Sequence, residues 1–337
     1  MIFLKTRSDF RTYRQIDEID YDLCPESYDD DGGTVTLPAE AAGPEDAGAW
    51  LIHAGWVYLA ENVVPGTDKV TVRTAPPIRA FDREVLYPGE ESTAAAFVAA
   101  VLEAEWISQT DPAYRIAALT VLQESAAGMI KPDEVIAAEE ALGDGETLGP
   151  VLFNVYGYLV KLRNNHGIHL DFTFSGDVLT ATVRDRVYGQ HNIVFGDGRS
   201  ILDSEAYGDT DTVAKVTVIA GGEATDFYRD EYGDIQTSVP EPRAAGQWKT
   251  ILAPDEATEE EIAQAAADAF GEAAGAQKVE FWSETDMALG DAAVMRLHGR
   301  RVVGCISRVE ITSANSKRRY ATGDLATTLT DKIRKRG

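Results

Sequence analysis

The sequence predicts a β-rich α+β chain, and three observations carry that reading. Both ends alternate apolar and polar residues at a period of two, between clusters of Gly, Pro and Asp. The middle switches to apolar residues spaced three and four apart, the period of a helix face. No run approaches the 18 or so apolar residues a membrane-spanning helix needs. With 337 residues the chain exceeds the ~250–300 at which single cores stop growing, so two or three domains are expected.

The elements follow in order. "GGTVTLPAE" (32–40) and "KVTVRT" (69–74) alternate as half-buried strands, while "WLIHAGWVYLAENVV" (50–64) reads as another strand or two, with a helix as the alternative. Ser92 is a candidate cap for a helix whose face carries Phe97, Val98, Val101, Leu102 and Trp106. A second helix starts at Pro132, with acidic residues in its first turn. A third is expected from Thr147 through Leu148, Val151, Leu152, Val155, Leu159 and Leu162, with Asn165-His166-Gly167 as its stop. Next, Ile168, Leu170, Phe172 and Phe174 alternate with polar partners, and "SGD" turns the chain into "VLTATV", a hairpin signature. Strands return over 204–239, notably in "TVAKVTVIAGG". After Pro254 a capping box, Thr258 to Glu261, opens a further helix. "KVEFW", "AAVMRL" and "RVVGCISRVEIT" then read as a terminal β module introduced by a Gly290-Asp291 step.

Charge narrows the function classes. The chain carries −25 overall. The run 317–337 holds seven Lys/Arg against Asp324 and Asp331, or +5, which leaves −30 on the remainder. A surface so acidic repels phosphate backbones, so sequence-specific nucleic-acid binding is disfavoured. Cys24 and Cys305 have no metal spacing or disulfide framework, and Cys305 within "VVGCI" reads as a small core residue.

Motifs that suggest chemistry do not hold up. In "NNHGIHL", His166 falls in a turn and His169 points away from Ile168 and Leu170 toward solvent, with no further ligand to complete a metal set. "SYDDDGGTVTLP" puts Ser27 first and Pro38 twelfth when Gly32 takes the calcium-loop glycine, where an acid is required. "VIAGGEATDF" lacks the dinucleotide fingerprint, and "GDGRSILDSEAYGD" reads as an acidic loop without a defensible carboxylate pair. No nucleophile elbow or zinc-protease motif occurs. No catalytic residue, cofactor site or metal site is assigned.

Three stretches carry a resemblance: "YDDDGGTVTLPAE", then "VLFNVYGYLVKLRNNHGIHLDFTFSGDVLTATV", then the closing order from "TVAKVTVIAGG" through "ATEEEIAQAAADAF" to "MALGDAAVMRLHGRRVVGCISRVEITSANSKRRYATGD". In this order the chain resembles the baseplate or tail hub proteins of long-tailed bacteriophages, particularly the siphophage, actinophage-type branch. The resemblance implies two small β-barrel domains with α+β insertions. The first barrel would span 1–88 with strands returning at 204–239, and the α+β domain 89–203. A connecting segment with a helix (240–277), a second barrel (278–323) and a basic tail (324–337) would follow.

It further implies a structural virion protein of the phage tail tip, assembled in the host cytoplasm. Three copies would form a ring joining the sixfold tail tube and distal tail protein to threefold tip proteins, as part of the DNA exit conduit. Implied partners are the chain itself as a homotrimer, the distal tail protein, the tail tube, the tape measure protein and tip or receptor-binding proteins. Exposed barrel strands pair across subunits, which makes Val294, Met295, Arg296, Leu297, Val302, Val303 and Arg308 the candidate assembly interface. Lys317, Arg318 and Arg319 join them as a basic cluster for a neighbour's acidic face. The alternatives are a tail-associated cell-wall hydrolase and a receptor-binding tail component.

Overall fold

The computed structural model describes the chain except for residues 18, 29–30, 113, 143–146, 197, 207–212, 230–234, 242–246, 274–277, 298–299 and 324–337. Two compact units emerge. Unit 1 comprises Met1–Val187 with Glu310–Ser316, and unit 2 comprises Tyr188–Val309 with Lys317–Gly337.

Unit 1 begins with seven strands: β1 (Ile2–Lys5), β2 (Thr12–Ile16), β3 (Asp20–Ser27), β4 (Gly33–Pro38), β5 (Trp50–His53), β6 (Trp56–Pro65) and β7 (Lys69–Ala75). They order as β3-β4-β7-β6-β5-β1-β2, antiparallel throughout. The ambiguous stretch at 50–64 is therefore a hairpin. Its turn, Ala54-Gly55, has φ of 49° and 86°, the doubly left-handed geometry that matches strand twist. The alternation was hidden because both faces are buried. Leu51, Tyr58, Val70 and Val72 enter one core with Ile2 and Leu4, while Trp50, Ile52, Val57 and Leu59 enter another.

That second core continues into the helical part. It takes up Phe97, Trp106, Phe153, Tyr158, Leu159, Ile168 and Leu179, so residues 1–88 and the segment after them share one interior rather than parting at 88. The elements here are β8 (Glu84–Leu86), α1 (Ala94–Leu102), β9 (Leu119–Gln123), α2 (Asp133–Glu140), β10 (Leu152–Asn154), α3 (Val155–His166), β11 (Ile168–Ser175) and β12 (Val178–Asp185). Phe97, Phe153 and Tyr158 meet with ring centroids 5.3–6.0 Å apart. Each buried aromatic of this kind contributes about 1.5–3 kcal/mol.

Local chemistry sets the helix ends. Thr93, not Ser92, caps α1, its Oγ1 accepting from the Ala96 amide at 3.0 Å. Trp106 lies beyond α1 in a wider turn, Glu103–Ile107, and is still buried. The expected helix over 147–162 starts late. Pro150 disfavours a helical conformation at Gly149, and Leu152–Asn154 instead pairs with β8. Asn154 then caps α3 by accepting from Gly157 N at 2.7 Å, and Gly167 ends it at φ 64°.

β11 and β12 form the expected hairpin, and β9 adds to β12 in parallel as the end of a three-stranded sheet. His166 is the last, exposed residue of α3. His169 departs from expectation, being 5% exposed and not solvent-facing. Beyond the strand period, its surroundings decide: Arg184 lies opposite it in register, and Arg186 bridges Glu26 (3.4 Å) and Asp171 (3.7 Å) nearby. At the far end of the hairpin, the buried Lys5 ammonium donates to the Gly176 carbonyl (2.7 Å), the Phe10 carbonyl (2.9 Å) and Asp177 (3.3 Å), tying the turn to β1.

Unit 2 contains β13 (Gln190–Ile193), β14 (Ser200–Ala206), β15 (Val213–Ala220), β16 (Glu223–Arg229), β17 (Ile235–Gln236), β18 (Gln247–Leu252), α4 (Glu259–Ala273), β19 (Lys278–Ser283), β20 (Ala292–Leu297), β21 (Arg300–Thr312, its last residues counted with unit 1) and β22 (Asn315–Gly323). Strands β13-β20-β21-β22-β19-β14, part of a 13-stranded sheet, pack on a core of Phe281, Met295, Ile306, Val309 and Tyr320. Among the described residues, an isolated bridge joins Phe195, after β13, to Ser200 of β14. Among the described residues no ladder closes either unit's sheet into a barrel.

Several expectations are corrected here. The acidic "loop" around 200–206 is β14, which pairs with β19 and places Leu202 against the core. Of the strands expected to return over 204–239, β15, β16 and β17 join β18 in a four-stranded sheet of their own. β15 pairs with β16 and β18, and this small sheet packs on α4 through Val216, Val218 and Phe227 against Ala266, Ala269 and Phe270. The capping box of α4 forms as read, with Thr258 N donating to Glu261 at 2.7 Å and Glu261 N to Thr258 Oγ1 at 3.3 Å. Cys305 is half-buried, its thiol donating to Gly290 O at 3.3 Å, because the alternation of β21 turns Ile306 inward instead.

Candidate assembly interface

β20 and β21, expected as exposed pairing strands, are interior. β20 pairs antiparallel with β21, placing Met295 opposite Val302 and Val294 opposite Val303, and its other edge pairs in parallel with β13. Its backbone groups are therefore used inside the unit. Met295, Leu297 and Val302 are buried core residues. Val294 and Arg308 are half-buried, and Arg296 is exposed on the opposite face, as the strand period requires.

The basic cluster lies on β22 and meets its own carboxylates. Lys317 Nζ reaches Glu284 at 2.6 Å and the Gly198 carbonyl at 2.7 Å. Arg318 reaches Asp286 at 2.9 Å, while Arg319 bridges Asp203 (2.8 Å) and Glu280 (2.6 Å) and lies over the Trp282 ring. Partly exposed pairs like these contribute about 0–1 kcal/mol each, so their main effect is to neutralise the strand. The basic tail, 324–337, lies outside the described residues.

The residue that positions the start of β20 is Asp291. It is 6% exposed, yet it accepts from Gly189 N (2.7 Å) and Ala288 N (2.9 Å), and His191 Nε2 lies 3.0 Å from Oδ2. Burial works against its ionisation, but these donors outweigh burial and hold the carboxyl below its usual range. Gly290 precedes it at φ 91°. The Gly-Asp step was legible in sequence; Gly189 and His191, about a hundred residues upstream, were not legible as its partners.

Among the described residues no group of three His, Cys, Asp or Glu is placed to hold a metal ion. No helix among them is long and apolar enough to cross a membrane.

Structural neighbours of the chain include phage tail and baseplate proteins. The 43 kDa tail protein of prophage MuSo2 from Shewanella oneidensis is 12% identical, with 96% of each chain covered and a TM-score of 0.48. Prophage tail protein gp18 from Listeria monocytogenes is 10% identical over 99% of this chain and 98% of that one, with a TM-score of 0.45. A chain of the phage P2 baseplate in its activated conformation is 11% identical over 96% and 98%, with a TM-score of 0.36. No protein-family model matches the chain, and no curated protein matches it in sequence.

Proposed function

We propose that this chain is a structural hub of a bacteriophage tail, a homotrimer that joins the sixfold tail tube and distal tail ring to threefold tip proteins. The observation that carries the reading is the pairing of two strand-built modules in one chain. Each unit holds a mainly antiparallel run of strands over its own apolar core. Three copies would present six such modules, which is how a threefold ring meets a sixfold tube. The reading treats each run of strands as a barrel-like module, and it assigns the tail tube, distal tail protein, tape measure protein and tip proteins as neighbours.

The charge suits a conduit. A lumen lined by carboxylates does not retain passing DNA, since like charges avoid a lasting contact. Of the candidate interface residues, Arg296 is exposed, while Met295, Leu297 and Val302 fill the core and Lys317, Arg318 and Arg319 pair with carboxylates of their own unit.

Native mass by light scattering, with negative-stain images of the same fraction, tests the proposal. A threefold ring of about 110 kDa, three times 36.6 kDa, is expected. A monomer that clears cell walls in a zymogram would overturn the reading in favour of a hydrolase.

A further inference from the structure

We infer that the groove between α1 and β9 is a strand-binding site, and that it takes the C-terminal segment 324–337 of a second copy of this chain. The inference rests on the self-assembly proposed above and names the contact that would join neighbours.

β9 ends its sheet, and among the described residues no strand lies on its outer side. Such an edge offers a row of N–H and C=O groups to an incoming strand. α1 runs beside it and turns Ala96, Ala99 and Ala100 toward the gap, so small side chains keep it open. The resulting groove, about 550 Å³, is floored by Leu119 and Val121. A cleft bounded by an edge strand on one side and a helix on the other is the geometry in which extended peptides add to sheets: the backbone supplies affinity and alternate side chains supply selectivity.

Charge selects the occupant. Glu91 and Glu103 line the groove, so an entering strand gains from basic residues. Segment 324–337, "DLATTLTDKIRKRG", carries Lys332, Arg334, Lys335 and Arg336 against two Asp. It also carries the β-branched Thr327, Thr328, Thr330 and Ile333 favoured in strands. The chain's other basic cluster already meets carboxylates of its own unit. Two chains of −25 repel one another, and a contact that sets +2 of tail against an acidic groove relieves that repulsion where they touch.

The test mixes full-length copies carrying only Ala99→Cys with copies carrying only Leu325→Cys, Thr328→Cys or Thr330→Cys, three positions that cover the unknown register. Mild oxidation should give a covalent pair in the mixture. Glu91→Lys with Glu103→Lys, or excess synthetic 324–337 peptide, should cut its yield at least tenfold. Absence of a mixed pair overturns the inference, as does a pair indifferent to charge reversal and to peptide. A link formed only within one chain, when Ala99→Cys and a tail cysteine are combined, also overturns it. Light scattering on the unmodified protein separates the two readings. A trimer without the crosslink sinks this contact alone, and a crosslinked pair without a trimer sinks the hub.

Discussion

Acidification should destabilise unit 1 through His169. Burial, reinforced by the charges of Arg186, Arg163 and Arg184 and only partly offset by Asp171, lowers its pKa from 6.5 to about 4. The sign follows from proton uptake. Between these values the unfolded chain binds the proton and the folded chain does not, so stability is intact above pH 6.5 and erodes as pH falls toward 4. With these two pKa values the loss reaches about 2 kcal/mol at pH 5 and about 3 kcal/mol below pH 4. Urea unfolding followed by tryptophan fluorescence, at steps from pH 7.5 to 4.5, measures it in the wild type and in His169→Gln. Carboxylates contribute their own acid sensitivity to both, so the difference isolates the imidazole. The wild type should lose about 2 kcal/mol more than the variant between pH 7.5 and 5. Parallel pH profiles would refute the argument, and so would an imidazole resonance titrating near 6.5 in the folded protein.

Three further outcomes follow from the geometry. Ala54, at φ 49°, occupies a left-handed position that costs an L-residue about 1–2 kcal/mol, so Ala54→Asn or Ala54→Gly should raise the melting temperature, by roughly 1 kcal/mol in stability. Asp291→Ala strands the amides of Gly189 and Ala288 and should cost about 2–3 kcal/mol in denaturant titrations. Because the Asp291 pKa is lowered, its contribution should be present above the ordinary carboxylate pKa and disappear as pH falls through the folded value. Gly304→Ala would set a Cβ 2.7 Å from Thr322 Cβ, across β21 and β22, and should cost about 1–3 kcal/mol or abolish soluble expression.

How much of this was legible in sequence depended on whether the signal was local. The capping box at Thr258, the Gly167 stop and the "SGD" hairpin are set by residues within a few positions of one another, and all form as read. Position 50–64 was ambiguous because a sheet buried on both faces shows no alternation. Helical spacing alone starts the third helix too early, because it runs on through Pro150, whose constraint on its predecessor outranks periodicity. Strand period alone puts His169 outside, because it cannot register Arg163, Arg184, Arg186 and Glu26 arriving from beyond its own strand. The burial of Met295, Leu297 and Val302 was hidden for a related reason. Period two separates Met295 from Arg296, but nothing local says that β13 arrives from a hundred residues upstream to cover β20's second edge.

The division of the chain carries a consequence for its biosynthesis. Unit 1 draws its first 187 residues from the beginning of the chain and Glu310–Ser316 from near the end. The Ser313 amide donates to the Tyr21 carbonyl at 2.9 Å, and its hydroxyl accepts from the Tyr21 amide at 3.2 Å. During translation residues 188–309 must leave the ribosome first, roughly 6–24 s at about 5–20 residues per second. Throughout that interval the outer margin of β3 waits uncovered beside other nascent copies on the same message. A fragment ending near 187 would stay in that state permanently, which makes it a poor reagent and a plausible seed for tangled aggregates.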